Sequence, residues 1–345
     1  MSAPTDVTLR DDLPVPGSVG DAPAPLRFAA LGDSFTAGVG DPAAEGLRGW
    51  AGLLADSLDD GSRGVEFRNY AVSGSLSADV REHQASAAAA FRPHLAAVVF
   101  GTNDTLRHPF DLDRLAHRMD EVCALLAAGG AVLLTACLPD PGAVLGLPAA
   151  LGRPLARRQQ GVNAVVHHLS ARYAAVHLHA CDPAWVADRS LWSPDRLHPA
   201  ERGHRKVAAD FHGLLTARGL ATGAPPGAEP RLPRPGRAAS ARLLVTEGAG
   251  WLARRSTDLL PQLFLLAARE AGHAAFGTTA RLDREHRRTV FAALTALTAV
   301  VPSPAPTPST ALIPSTAPAS DEHPAATADP EAATAVLAAL ADTGP

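Results

Sequence analysis

Five short apolar segments that alternate with helical patterns constrain the fold of this chain most strongly. They read LRFAALG, VEFRNYAV, LAAVVFG, AVLLTAC and AAVHLHA, at residues 26–32, 65–72, 95–101, 131–137 and 174–180. Most are continuously apolar rather than alternating, which is typical of parallel strands that helices cover on both faces. The sequence therefore predicts a doubly wound α/β fold with a central parallel sheet.

Amphipathic helices are predicted between these segments. Apolar residues recur at helical spacing from Leu112 to Leu126 and again from Leu155 to Leu169. A last helix is predicted from about Pro199 to Arg218, with Pro199 in its first turn, where proline is favoured. The alternation of strands and helices ends there.

Composition divides the chain into five parts. We expect a flexible leader at residues 1–25, an α/β domain at 26–219, a Pro/Gly-rich linker at 220–241, a helical extension at 242–300 and a low-complexity tail at 301–345. The tail is rich in Pro, Ala, Ser and Thr, and is predicted to be disordered.

Charge and hydropathy exclude several classes of partner. A formal net charge of −4 over 345 residues argues against a general nucleic-acid binder. No run of 18 apolar residues is present, so no transmembrane segment is expected. The acidic, Pro-rich N-terminus lacks the apolar region of a signal peptide, which predicts a cytoplasmic protein.

In the extension, Trp251 and two arginines precede an apolar stripe that could contact a membrane surface. Packing of this stripe on its own domain or on an oligomer partner is favoured. The oligomeric state stays open.

The cysteines and two nearby histidines do not suggest a metal centre. Three cysteines without paired spacing do not form a disulfide framework, and Cys123 and Cys137 are predicted to be buried thiols. His177 and His179 would share one face of a strand, but no third ligand is in view. We therefore assign no metal ligand and no cofactor.

The segment ALGDSFTAGVG, residues 30–40, follows the first strand and permits two interpretations. Gly38 and Gly40 begin a G-x-G-x-x-A pattern, as in dinucleotide-binding loops. That pattern begins about six residues after the strand ends, and Asp41 would face the phosphates, so it is disfavoured. The other interpretation makes Ser34 a nucleophile at the carboxyl end of the strand.

A serine nucleophile requires a base, and His198 in SPDRLHPAERGH is the candidate. Asp195 precedes it by three residues, close enough in a turn to orient the imidazole. The D-x-x-H pattern is unspecific, because it recurs at Asp283 and His286. That second pair lies in a dense charge run beyond the linker, which is typical of a solvated helix face.

Two further loops could supply donors for an oxyanion. NYAVSGSL places Gly74 after the second strand, and VVFGTNDTLR places Asn103 after the third. A glycine lets its backbone N–H approach a substrate, and an asparagine offers an amide donor. Each residue alone is equally consistent with a turn. Together with Ser34 and His198 they supply the parts of an acyl-transfer site.

The blocks GDSFTAG, NYAVSG, GTND and DRLHP, in this order, resemble those of the SGNH or GDSL-type serine hydrolases. The resemblance covers about residues 26–219. Phe35 stands where the name-giving motif has leucine, at an apolar position. The resemblance implies a three-layer α/β/α, flavodoxin-like fold and hydrolysis of carboxylic esters without a metal or cofactor.

The resemblance also implies a role for each site residue. Ser34 would be the nucleophile and, through its backbone N–H, the first oxyanion donor. Gly74 and Asn103 would be the other two donors, and His198 would be the base that Asp195 orients.

The expected substrate is an acyl or acetyl ester, or a lipid, in a pocket shaped by the apolar loop at 138–154. Two alternatives stay open: an acyltransferase on the same machinery, and a binding module without catalysis.

Overall fold

A five-stranded parallel sheet forms the centre of the protein in a computed structural model that describes residues 24–231, except 45, 60 and 62, and residues 259–299. The strands are β1 Leu26–Gly32, β2 Val65–Asn69, β3 Leu95–Val99, β4 Val132–Cys137 and β5 Val176–His179. Their order is β2-β1-β3-β4-β5, and all neighbours are parallel. This is the flavodoxin-like order, so the predicted fold class is confirmed.

Among the residues that the structure describes, six longer helices accompany the sheet. They are α1 Gly49–Leu58, α2 Leu112–Ala128, α3 Ala149–Arg172, α4 Glu201–Ala217, α5 Leu259–Ala275 and α6 Thr279–Ala299. Shorter helical segments span Ser34–Ala37, Ser77–Asp79, Val80–Gln84, Ala85–Ala90, Thr102–Thr105, Pro141–Leu145, Pro183–Ala187 and Arg189–Leu191, and Val80–Gln84 among them is a π-helix. A small antiparallel hairpin pairs Pro42–Ala43 with Gly46–Leu47. No helix in the described part of the chain has both the length and the apolar character needed to cross a membrane.

Helices cover both faces of the sheet and give three layers. On one face α1 and α4 pack together, and the buried ring of Trp50 stacks on that of Phe211 with their centroids 5.0 Å apart. On the other face α2 and α3 bury the apolar stripes that the sequence predicts, including Leu115 and Val165. Both faces are therefore apolar, which explains why the strands read as continuous apolar runs.

The last helix begins later than the sequence predicts. Pro199 lies two residues before α4, and Ala200 is the N-cap. The carbonyl of Pro199 instead faces Gly40, where an added Cβ would lie 2.0 Å from the Pro199 oxygen. The expectation that Pro199 occupies the first turn is therefore wrong, because this residue ends the loop that packs on the Gly38–Gly40 turn.

Within the extension predicted to be helical, the described residues form α5 and α6, which pack on the α/β layers. Leu294 and Leu297 of α6 are buried in the same core cluster as α2 and α3. Arg157 of α3 forms ion pairs with Glu270 of α5 and, at 3.0 Å, with Asp283 of α6. In the apolar stripe of α5, however, Phe264 and Leu265 are exposed. The preference for packing on its own domain or on an oligomer partner therefore stays a prediction, and Trp251 lies outside the described residues.

Candidate active site

The candidate site lies where the strand order reverses. From β1 the chain proceeds to β2 on one side and then to β3 on the other, so the carboxyl ends of β1 and β3 border a crevice. Ser34 begins a short helix directly after β1, and Asn103 lies in a short helix just after β3. Ligands of open α/β sheets bind at such a switch point.

Ser34, His198 and Asp195 form one line of hydrogen bonds. The Ser34 Oγ lies 2.9 Å from His198 Nε2, and His198 Nδ1 lies 2.7 Å from Asp195 Oδ2. A carboxylate next to Nδ1 favours the tautomer with the proton on Nδ1, which leaves a lone pair on Nε2. The Ser34 hydroxyl can then donate to Nε2, the geometry that a general base requires.

Asp195 is held as a carboxylate by several donors. Its Oδ1 accepts from the backbone N–H groups of Leu197 and His198 at 2.9 and 3.1 Å and from the Ser193 hydroxyl. Burial alone would raise the pKa of Asp195, but hydrogen bonds and the charge of His198 outweigh it and hold this pKa well below its usual range. The carboxylate therefore stays ionised and keeps its orientation at neutral pH.

Asp33, the residue before Ser34, is buried and caps the short helix Ser34–Ala37. Its Oδ1 accepts from the backbone N–H of Phe35 at 3.0 Å. Burial raises the pKa of Asp33 from 3.8 to about 6, although the Phe35 N–H and the charge of His198 oppose this shift. The folded protein thus holds an acid that is costly to ionise beside Ser34.

Asp33→Asn is expected to stabilise the protein above pH 6 and to change little near pH 4. Since the folded pKa exceeds the unfolded one, the stability that neutral Asp33 provides is lost as pH rises through about 6. Asparagine is neutral at every pH and keeps an acceptor for Phe35. Urea denaturation at about pH 4 and about pH 7.5 measures the free energy of unfolding. The variant should exceed the wild type by an amount that grows with pH to about 3 kcal/mol at most. A gain that does not depend on pH would contradict this reasoning.

Asn103 lies in the same cavity as Ser34, whereas Gly74 does not line it. One N–H of the Asn103 amide donates to the backbone carbonyl of Ser75 at 3.1 Å, and an amide nitrogen carries a second donor. Gly74 lies in the turn after β2 with φ +86°, one residue before Ser75. The structure therefore brings Ser34, His198, Asp195 and Asn103 together and links the Gly74 turn to them through Ser75.

Gln84 is a site-supporting residue that sequence reasoning missed. Its side chain is buried in the π-helical segment, and it both accepts from the Gly32 N–H and donates to the Gly32 carbonyl at 2.9 Å. The same amide donates to the Ser75 hydroxyl at 3.2 Å. Gln84 thus joins the end of β1 to the Gly74 turn. Nothing in REHQASAAAA signals this role, because it depends on a contact across 52 residues.

Gly38 and Gly40 serve close backbone packing rather than phosphate binding. A Cβ on Gly38 would lie 2.7 Å from the backbone nitrogen of Gly49, and the Pro199 carbonyl fills the space at Gly40. His204 of α4 spans this region, since its Nε2 donates to the Val39 carbonyl at 3.0 Å and its Nδ1 accepts from the backbone N–H of Trp50 at 3.2 Å. Because protein atoms already occupy these positions, the structure favours the nucleophile interpretation of this loop.

The cavity at Ser34 is small and mostly apolar. Its volume is about 60 Å³. Apolar side chains supply most of its wall: Phe35, Leu106, Leu138, Pro139, Pro141, Val144, Trp192 and Leu197. The loop at 138–154 contributes four of them, as expected. Trp185 does not line the cavity: it is buried in the core, and its backbone carbonyl accepts a hydrogen bond from the Trp192 indole at 2.8 Å. Asp283 and His286 lie outside this wall, and His286 is half-buried against α3 rather than on a solvated face.

Residues 30–206, about half of the chain, match the model of the GDSL-like lipase/acylhydrolase family. The chain belongs to this family. The resemblance carried by the four sequence blocks is therefore confirmed. The GDSL-like domain is a hydrolase of the esterase/lipase type, and ester hydrolysis is the general activity that membership supports.

Several solved structures are similar to this GDSL-like chain. An acetylxylan esterase from Geobacillus stearothermophilus is 16% identical, with a TM-score of 0.47, over 56% of this chain and 95% of that one. A lipase/acylhydrolase from Enterococcus faecalis is 16% identical, with a TM-score of 0.46, over 58% and 98%. The psychrotrophic esterase EstA from Pseudoalteromonas sp. is 17% identical, with a TM-score of 0.44, over 56% and 97%. No curated protein matches the sequence.

Proposed function

We propose that this chain hydrolyses esters of short carboxylic acids through a covalent acyl group on Ser34. The observation that carries this proposal is the continuous hydrogen-bonded line from Ser34 through His198 to Asp195, at the edge of an apolar cavity. A hydroxyl, a base and a group that orients the base are what nucleophilic catalysis by serine requires.

The reaction has two halves that use the same histidine. His198 Nε2 takes the Ser34 proton as Oγ attacks the ester carbonyl, and the tetrahedral intermediate collapses when His198 returns that proton to the leaving alcohol. Water then enters, gives a proton to Nε2 and attacks the acyl carbonyl. The second collapse transfers this proton to Ser34 Oγ and releases the acid, which restores the starting state.

Asp195 supports both halves without changing its own protonation. Because its pKa lies well below the usual range, it remains a carboxylate while His198 is transiently charged. The 2.7 Å contact with Nδ1 stabilises that imidazolium and fixes the ring so that Nε2 faces Ser34.

Three N–H groups are proposed as donors to the oxyanion: the backbone N–H of Ser34, the backbone N–H of Gly74 and the Asn103 amide. The position of Asn103 in the cavity supports its role directly. The role of Gly74 is supported by the resemblance and by the contact between Asn103 and the adjacent Ser75.

Asn103→Ala is expected to lower kcat by roughly 10²–10³ with a smaller change in KM, because the lost donor acts on charge that exists only in the transition state. Steady-state kinetics on an ester substrate measure the split between kcat and KM. A melting temperature close to that of the wild type serves as the control for the Ser75 contact. A kcat within about threefold of the wild type would remove Asn103 from the oxyanion site.

The cavity predicts a preference for short acyl groups. The cavity has a volume of only about 60 Å³, and Val144 and Trp192 are among the apolar residues that line it, which favours a short acyl group over a long chain. We expect kcat/KM to be highest for p-nitrophenyl acetate or butyrate. The value for palmitate should be lower by a factor of roughly ten or more. The series is measured against Ser34→Ala as background. An optimum at palmitate would contradict this assignment, and transfer of the acyl group to an added alcohol in place of water would identify an acyltransferase.

A further inference from the structure

A second cluster of reactive side chains lies outside the candidate active site, where the ends of β4 and β5 meet α3. Parallel pairing places Thr135 beside His177 and Cys137 beside His179, so all four side chains project from the same face of the sheet. His167 of α3 packs over this face, and its ring centroid lies 4.8 Å from that of His177 and 5.3 Å from that of His179.

The four potential ligand atoms are close enough to share one ion. Each residue offers one ligand atom, and any two of these four atoms lie within 4.8 Å of each other. The residues are Cys137, His167, His177 and His179. Tetrahedral Zn²⁺, with bonds of about 2.0–2.3 Å, separates its ligand atoms by about 3.3–3.8 Å. Side-chain rotations that move these atoms by about 1 Å would therefore complete the site.

Two of the imidazoles carry buried nitrogens without a hydrogen-bond partner. These atoms are Nε2 of His167 and Nε2 of His177. The other nitrogen of His177, Nδ1, lies 3.0 Å from the Thr135 hydroxyl and 3.1 Å from the Ser170 hydroxyl. An imidazole fixed by one nitrogen while the other faces a cluster of ligands is the usual arrangement of a metal-binding histidine.

The unpartnered nitrogens have an energetic consequence. An unpaired buried nitrogen costs free energy, and a bond to a metal would remove that cost.

We propose that Cys137, His167, His177 and His179 bind one Zn²⁺ ion. A thiolate with three imidazoles and no carboxylate selects zinc over Mg²⁺ or Ca²⁺. Four protein ligands leave no open position, so the site is structural rather than catalytic. It clamps the edge strand β5 to β4 and α3, and the next residue after Cys137 is Leu138, which lines the cavity at Ser34.

Cys181 offers a competing arrangement, because its Sγ lies 2.8 Å from that of Cys137. A disulfide between them would consume the only thiolate of the cluster and leave the Nε2 atoms of His167 and His177 without partners. The zinc site accounts for the cysteine and for all three histidines. Because a disulfide would block metal binding, the site is tested under reducing conditions, in which Cys137 is a free thiol.

The test is a titration of the full chain with Co²⁺ alone, after treatment with a chelator and in the presence of a phosphine reductant. A thiolate-to-cobalt charge-transfer band in the near ultraviolet and the visible bands of tetrahedral Co²⁺ should saturate at one equivalent, and Zn²⁺ should abolish them. One equivalent of bound Zn²⁺ should also raise the melting temperature by about 5–10 °C. Neither the cobalt spectrum nor the melting temperature depends on ester hydrolysis. A protein that binds no metal would therefore leave the proposed function intact.

Variants assign the ligands. Cys137→Ser and His177→Ala should lose the charge-transfer band, whereas His168→Ala, a change at the residue next to His167, should keep it, as should Cys181→Ser. If the first two variants do not fold, the wild-type titration still decides the matter. Absence of the band at saturating Co²⁺, its persistence in His177→Ala, or its loss in Cys181→Ser but not in Cys137→Ser would overturn the site.

Discussion

Ser34→Ala is expected to lower kcat for p-nitrophenyl acetate by roughly 10⁵–10⁶, with little change in KM. The Ser34 Oγ, 2.9 Å from His198 Nε2, is the atom that forms the acyl bond in the proposed mechanism. Without it no covalent intermediate exists, and the residual rate comes from the oxyanion donors and from binding alone. Ser34 is partly exposed, so the loss of one hydroxyl there should leave the fold unchanged.

A matched control is Ser73→Ala, in the exposed turn after β2. Its kcat should stay within about twofold of the wild type, and both variants should melt at the wild-type temperature. If Ser34→Ala retained more than about a tenth of the wild-type kcat, another residue would have to be the nucleophile.

Asp195→Asn is expected to cost roughly 10⁴ in kcat. An asparagine can present its amide N–H to His198 Nδ1, which favours the tautomer with the proton on Nε2. That nitrogen then cannot accept the Ser34 proton. The substitution also removes the negative charge that stabilises the imidazolium, while the remaining carbonyl oxygen can still accept from Leu197 and His198, so the loop should keep its conformation.

Kinetics and melting curves of Asp195→Asn should be compared with those of Asp182→Asn. Asp182 is also a loop aspartate, and its side chain caps the short helix Pro183–Ala187 by accepting from the Ala184 N–H at 2.8 Å. It therefore controls for the loss of a structural carboxylate. Only the first variant should lose activity. Equal losses in both, or a loss of less than about tenfold in Asp195→Asn, would contradict an orienting role for Asp195.

The sheet could be predicted because most strands are apolar on both faces, whereas the edge strands β2 and β5 carry alternating polar residues. The segment at 95–101, for example, contains β3, which is buried along its whole length. The helix boundaries are less predictable. The segment 138–154, expected to be a loop, contains the helix Pro141–Leu145 and the start of α3 at Ala149, so that expectation is wrong. Asp140 followed by Pro141 is a helix-start signal in the sequence, and the structure shows a helix there.

The candidate site could be predicted only as a set of residue types at strand ends. The spacing of Asp195 and His198 is local, and the structure shows the expected contact. The support from Gln84 and the packing of Pro199 on Gly40 depend on contacts between distant segments, which no local pattern encodes. The same holds for Cys137 and His179, which become neighbours only through the register of β4 and β5.

The most direct test of the central claim, that Ser34 is the nucleophile, is to locate the adduct of a fluorophosphonate. The wild-type chain and His198→Ala are incubated with the reagent, digested and sequenced by mass spectrometry. We predict a single phosphonyl group on Ser34 in the wild type, formed in parallel with loss of esterase activity, and much slower labelling in His198→Ala. Loss of activity with the adduct on another residue, or full activity after complete labelling of Ser34, would contradict the mechanism.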